Sequence, residues 1–325
     1  MRIYAVMKVL LTGAFGNVGE STLESLHYHG HDICCFDLPN KRNRQRAEKL
    51  CMEFEFDIFW GDIRDYSEVS QALGGKDAVI HLAAIIPPQA DRNPQLAKEV
   101  NVGGTKNLVD AALQSEKNPR FVYASSIATY GHCTGDGPPR KAGDPQVATD
   151  AYTAHKIESE HIVKESGLPW TIMRFGVVTP LRLSMDIDSI MFEIPLDQRI
   201  EFVHTKDIGL ALAKGVPADT VGKVLLLGGG KDCRMYYRDF LASMLDALGI
   251  GMLPDEAFIT PETEEDYFHT DWMDSKEAQE LLGYQTRSFE KFLEDFKDEM
   301  GKKRMLVRLF RPLVRRYLLY KSPYY

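Results

Sequence analysis

Tyr152 and Lys156 stand four residues apart in "ATDAYTAHKIESEHI". On a helix that spacing puts both side chains on one face. An ammonium held beside a phenol favours the phenolate and draws its pKa down from about 10. Such a phenol can move a proton on or off a carbinol oxygen near neutral pH. By itself the spacing is weak and better describes two solvated side chains, so the surroundings decide.

The second constellation is "LLTGAFGNVGE", where Gly13, Gly16 and Gly19 follow an apolar run and open a helical pattern. Glycines in that setting permit a tight turn, let backbone approach a pyrophosphate, and turn helix N-terminal N–H groups toward the anion. Asp37 follows 18 residues after Gly19, at the end of the second apolar run. Its carboxylate can accept hydrogen bonds from a pair of ribose hydroxyls. The same charge repels a 2′-phosphate, which favours NAD, while Lys41, Arg42 and Arg44 just beyond keep NADP open.

These residues need a scaffold, and the chain supplies a regular one. Apolar runs ("KVLLTG", "DICCFDL", "FDIFWGD", "DAVIHLAA", "RFVYASS", "PWTIMRFG", "KVLLLGG") alternate with helical patterns near 18–28, 42–52, 66–73 and 94–115, and with the helix carrying Tyr152. The alternation predicts an α/β fold, a Rossmann-type doubly wound parallel sheet covered by helices on both faces. The dinucleotide-binding part is expected over 1–178 with a contribution from 203–230. Shorter, more acidic and irregular segments at 179–202 and 231–300 are expected to form a smaller mixed substrate-binding part, and 301–325 a basic amphipathic tail.

Composition narrows the classes. The chain has 325 residues, 44% hydrophobic and 26% charged, enough for a large core. Its net charge of −8 divides into +8 on residues 301–325 and −16 on the rest, and an acidic body argues against nucleic acid as a partner. Five cysteines without C-x-x-C spacing support neither a disulfide framework nor a zinc site; no metal is expected, and a reducing cytoplasm fits best. "MRIYAVMKVLL" reads as a short extension leading into a buried strand rather than as a signal peptide. No run approaches the roughly 18 apolar residues of a membrane span.

With these motifs in hand, the chain resembles the extended short-chain dehydrogenase/reductase superfamily, in its NAD-dependent epimerase/dehydratase branch, from "TGAFGNVG" to "DSKEAQELLGY". The resemblance implies that Gly13, Phe15, Gly16, Asn17, Val18, Gly19 and Asp37 hold the dinucleotide. It implies further that Asp62 and Ile63 cap the adenine, that Leu82, Ala83 and Ala84 line the cofactor, and that Asn101 lies on the helix beneath it. Phe175 and Val177 would close the site beyond the sixth strand. Ser126 takes the position of the serine or threonine that orients the substrate oxygen, 26 residues before Tyr152. Tyr152 would be the acid/base, and Lys156 would lower its pKa and bind the nicotinamide ribose. A homodimer and a small-molecule substrate are the family's defaults.

Departures from the family's patterns bear on the reaction. Ile127, Ala128 and Thr129 follow Ser126 where 4,6-dehydratases carry an acidic pair, which argues against dehydration. Gly176 and Val177 replace the asparagine with which many members contact a nucleotide-sugar. Arg199 in "DQRIEFVH" is the nearest candidate for a diphosphate clamp, displaced by one position. Three readings therefore stand: a nucleotide-sugar epimerase; a dehydrogenase or reductase of a non-nucleotide ketone or alcohol, lipophilic if the tail meets a membrane; and a non-catalytic dinucleotide-binding sensor or assembly factor. Tyr130 and Cys133, just past the serine loop, either line the substrate pocket or pack the loop. His81 and His204 are read as packing and loop-fixing residues, and His155 as facing away from the cofactor.

The tail lies outside the resemblance. Leu306, Phe310, Leu313, Tyr317 and Tyr320 fall on one helical stripe, Arg304, Arg308, Arg311 and Arg315 on another, with Pro312 as a kink. Peripheral contact with an anionic membrane and docking on the acidic body or a second subunit are equally open.

Overall fold

The computed structural model describes residues 6–133, 138–179 and 189–325. Residues 180–188, within the expected substrate cover at 179–202, and 1–5, within the expected N-terminal extension, lie outside them.

Among the described residues, strands β1 (Lys8–Thr12), β2 (Asp32–Asp37), β3 (Asp57–Trp60), β4 (Ala78–His81), β5 (Arg120–Ser126), β6 (Trp170–Phe175), β7 (Arg199–Glu201), β8 (Lys223–Leu227) and β9 (Arg234–Tyr236) form two sheets. The large one is parallel, in the order β3-β2-β1-β4-β5-β6-β8; β7 and β9 make a short antiparallel ribbon. The expected doubly wound fold is the fold observed. Its strand order reverses between β1 and β4, and ligands of such sheets bind in the crevice beyond the strand ends at that point.

The helices are α1 (Asn17–Tyr28), α2 (Lys41–Leu50), α3 (Tyr66–Leu73), α4 (Gln89–Arg92), α5 (Pro94–Lys98), α6 (Gly104–Leu113), α7 (Ala151–Glu165), α8 (Thr205–Gly215), α9 (Tyr237–Leu248), α10 (Lys276–Leu282), α11 (Phe289–Met300), α12 (Lys302–Leu309) and α13 (Arg311–Lys321). The single long helix expected over 94–115 is interrupted by a π-helical turn at Glu99–Gly103. Such turns widen a helix locally and concentrate at functional sites. Here the turn carries Asn101.

Both faces of the parallel sheet are covered, which is why its strands are apolar without alternation. Leu23, Leu26, Ile208 and Leu212 pack on one face. Val69, Leu73, Leu108, Val109 and Val163 pack on the other. A separate aromatic core gathers Phe202, Phe240, Phe289, Phe292 and Phe296 and takes in Leu318 from α13. Among the described residues no helix is long and apolar enough to cross a membrane, and no group of three metal-ligating side chains comes together.

Candidate functional site

Because the strands run parallel, the segments that follow β1, β4, β5 and β6 emerge along one edge of the sheet. The turn after β1 is built by its glycines. Gly13 has φ +66, and a Cβ there would lie 2.8 Å from the Ala83 nitrogen. A Cβ on Gly19 would sit 2.2 Å from the Gly13 carbonyl oxygen. Only glycine lets the turn, α1 and the segment after β4 approach so closely.

A cleft of about 340 Å³ opens beside this turn. Gly13, Phe15, Gly16, Asp37, Asp62, Ile63, Leu82, Ala83 and Ala84 line it, so most of the residues named for the dinucleotide are brought together. Asn17 and Val18 form the first turn of α1. Phe15 serves through its backbone: its N–H donates to Asp37 Oδ2 at 2.9 Å, and its ring is buried against Trp60. Asp37 also accepts from Leu38 N at 2.8 Å and Asn43 Nδ2 at 2.9 Å. Burial raises its pKa above the usual carboxylate value, while those backbone bonds and the charges of Arg46 and Arg42 pull it back.

The cations near Asp37 divide. Arg42 lines the cleft, Lys41 is exposed, and Arg44 lies 5.0 Å over the Trp60 ring while bonding the Pro39 carbonyl. Sequence reasoning missed Asn43 and Arg46, which also line the cleft. The signal was available: Arg42 and Arg46 are one turn apart and share a face of α2. Asp62 forms an ion pair with Arg64, whose hydrogen bond holds its pKa below the usual value.

Asn101 is one layer behind the cleft, not in it. Its amide accepts from Ile85 N at 2.7 Å and donates to Ile85 O at 2.8 Å, so it pins the loop after β4. His81 works in the same layer. Thr12 Oγ1 accepts from Leu82 N and Ala83 N, leaving its proton for His81 Nδ1 at 2.9 Å. Thr105 donates to Asn101 O and so accepts from His81 Nε2. The imidazole is therefore neutral with its proton on Nε2, in keeping with a pKa lowered to about 3 by burial and then by the charge of Lys156.

At the end of β5, Ser126 caps a short 3₁₀ turn (Ile127–Tyr130) by accepting from Ala128 N. Asp150 and Thr153 form a reciprocal capping box that starts α7, putting Tyr152 in its first turn and Lys156 one turn on. Lys156 Nζ donates to Ala124 O at 2.7 Å and sits 4.9 Å from the Tyr123 ring centre and 5.9 Å from that of Tyr152. Burial draws its pKa down to about 8, with Glu160 opposing.

The phenol behaves differently from the sequence expectation. Burial pushes the Tyr152 pKa up to about 12; a hydrogen bond with Ser126 works downward and the Asp150 carboxylate upward. Lys156 is turned to the β5 carbonyl, so the protein's own groups hold the phenol protonated. Phe175 lies opposite Ser126 in the β5–β6 register, and Val177 bridges to Phe202, so both stand at the same edge.

Two residues named for substrate are committed elsewhere. Tyr130 is 3% exposed, and its hydroxyl accepts from Arg174 Nη1 at 2.5 Å. Arg174 also pairs with Glu160, which takes Ser125 and Lys164 besides. This buried network ties α7 to β5 and β6, and its signal was an arginine inside the apolar run "TIMRF". Arg199 binds Asp271 at 2.7 and 3.0 Å, a carboxylate where the diphosphate clamp was expected. Cys133 is buried, with its thiol pKa pushed up to about 11 by burial and the charge of Asp271.

Against known proteins, residues 9–180 match the model of the NAD dependent epimerase/dehydratase family, more than half of the chain. The chain belongs to this family. The UDP-glucose 4-epimerase of Lacticaseibacillus casei is 29% identical over 174 residues, covering 53% of the chain and 49% of that protein. A 3 beta-hydroxysteroid dehydrogenase/Delta 5-->4-isomerase of Mycobacterium tuberculosis (strain ATCC 25618 / H37Rv) is 32% identical over 167 residues, 48% of the chain and 42% of that protein. The match thus spans half or less of each relative. Among solved structures, DesIV, a dTDP-glucose 4,6-dehydratase from Streptomyces venezuelae with NAD bound, superposes with a TM-score of 0.75 at 21% identity over 91% of this chain and 98% of its own. UDP-glucuronic acid 4-epimerase from Bacillus cereus with NAD gives 0.74 at 21% over 92% and 100%. At these identities the likeness is one of fold.

Proposed function

We infer that this family member is an NAD-dependent enzyme that carries out hydride transfer at a carbinol or carbonyl carbon. The observation that carries the reading is the grouping, at one edge of the sheet, of Ser126, Tyr152 and Lys156 with the glycine turn and Asp37. The residues fit a dinucleotide: Gly13 and Gly19 permit the tight turn from β1 into the N-terminus of α1, and the cleft beside it ends on an acceptor suited to ribose hydroxyls. NAD, when bound, supplies the hydride acceptor and a positive charge that lowers a nearby phenol's pKa. Ser126 orients the substrate oxygen by hydrogen bonding. Tyr152 moves the proton on or off that oxygen, with the Ser126 hydrogen bond and the bound cofactor's charge drawing its pKa down, and Lys156, charged below about pH 8, holds the ribose.

For the substrate, a nucleotide-sugar epimerisation is the first reading, supported by the UDP-glucose 4-epimerase relative and the neighbouring folds. The Arg199–Asp271 pair favours the second, a non-nucleotide ketone or alcohol, because the clamp candidate already holds a carboxylate, which Arg140 also approaches at 3.5 Å. Thermal shift with NAD and NADP, then with UDP-, dTDP- and GDP-sugars, separates them: stabilisation by a nucleotide-sugar supports the first, and none supports the second. With a substrate found, Tyr152→Phe lowers turnover about 10³-fold without weakening cofactor binding. Retained wild-type turnover would sink the assignment.

A further inference from the structure

The tail is amphipathic, and only part of its apolar surface is docked: Leu318 is buried in the aromatic core, and Val307, Val314 and Leu319 pack against it. Helices packed on a body bury their apolar stripe. Arginines face the body beside that stripe: Arg304 Nε donates to Ala247 O at 2.8 Å, Arg311 Nε to Ile250 O at 2.8 Å, and Arg315 Nη1 to Met252 O at 2.6 Å. They cap the C-terminal carbonyls of α9 and the turn after it, where cations are favoured. Leu318 and the Ser322 hydroxyl, bonded to Ala257 O at 2.6 Å, complete the anchor. The opposite stripe is left in solvent, with Met305 and Leu309 each 72% exposed, Leu313 65% and Tyr320 87%. Phe310 and Tyr317 are more than half exposed on the same side. A patch of this kind on a fixed helix pair marks a surface that meets something apolar.

We propose that α12 and α13 form an interfacial element that lays this stripe into the surface of an anionic lipid bilayer. Charge selects the occupant. Residues 301–325 carry eight cations and no Asp or Glu. Lys302, Lys303 and Arg316 are exposed beside the apolar stripe, where lipid phosphates would meet them. A groove of about 670 Å³ lined by Arg311, Arg315, Arg316, Tyr320 and Tyr325 gives a headgroup room between guanidinium groups and aromatic rings, the side chains that suit a membrane–water boundary. A second copy packed symmetrically on the stripe would bring the exposed Lys302, Lys303 and Arg316 of each copy toward like charges. None of these residues touches the cleft, so the proposal stands or falls apart from the cofactor reading.

The test uses the whole chain with sucrose-loaded vesicles of phosphatidylcholine, with and without phosphatidylglycerol. The protein pellets with the anionic vesicles, less so as salt rises, and stays in the supernatant with phosphatidylcholine alone. Leu309→Glu with Leu313→Glu abolishes pelleting. Lys302→Ala, Lys303→Ala and Arg316→Ala together weaken partitioning about a hundredfold, at about fivefold per cation. All five side chains are exposed, so the melting temperature of each variant stays that of the wild type. Recovery that is equal with and without vesicles, or unchanged in both variants, overturns the proposal. So does a doubled mass in light scattering that the glutamate variant abolishes while vesicles recover nothing, which would assign the stripe to a second copy.

Discussion

Gly13 joins the candidate site through what it lacks. Its left-handed φ and the 2.8 Å approach to Ala83 N leave no room for a methyl group. Gly13→Ala is expected to destabilise the fold by about 1–2 kcal/mol through backbone strain alone, and to weaken NAD binding by more than the Tyr152→Phe change does. Titration of the two variants with NAD checks this, and equal affinities would remove the turn from the cofactor site. The requirement was legible in "GAFGNVG" because a missing Cβ acts within a few residues of backbone. The fates of Arg199 and Tyr130 were not: Asp271 lies 72 residues from Arg199, and Arg174 lies 44 from Tyr130. A charged or phenolic side chain has many possible partners, and its spacing in the chain does not choose among them.

His81 shows how an element is held rather than what it catalyses. Its neutral ring bridges β1, through Thr12, to α6, through Thr105, and so sets the path of Leu82 and Ala83 along the cleft. Its folded pKa, about 3, is below the 6.5 of the unfolded chain. Between those values the unfolded chain binds a proton that the folded one does not, so stability is present above pH 6.5 and is lost as pH falls toward 3. From pH 7 to pH 5 the loss from this group is about 2 kcal/mol. Urea unfolding of wild type and His81→Gln at both values measures it: the variant should lose less than wild type by that amount, and an equal loss would mean that His81 is not held neutral. At this scale much was readable. The helix at Tyr66–Leu73 and the strand Arg120–Ser126 fall where the patterns put them, because periodicity and caps are local. The π turn at Glu99–Gly103 escaped notice because its apolar spacing still reads as helix.

Across the whole molecule, the parallel sheet and the aromatic core meet at Asp207. This buried carboxylate, in the first turn of α8, accepts from Thr286 N, Thr286 Oγ1, Arg287 N and Arg287 Nη1, and so ties α8 to the segment leading into α11. Asp207→Ala removes four bonds and is expected to cost about 2–3 kcal/mol, with solvent relieving part of the loss at Arg287. Denaturant unfolding measures it, and a change below about 0.5 kcal/mol, the range of ordinary surface substitutions, would dismiss the tie. The sequence by itself determined the doubly wound sheet and the glycine turn with its acidic partner, since turn chemistry and alternation act over short stretches of chain, and it offered Ser126, Tyr152 and Lys156 through the family resemblance. Tertiary structure alone decided which way the tail's stripes face, that Asn101 and His81 brace the cleft from behind, that Arg199 is paired, and that Tyr152 is held protonated by the protein's own groups. Each of those outcomes depends on burial and on partners tens of residues away, and both come into being only when the chain folds back on itself.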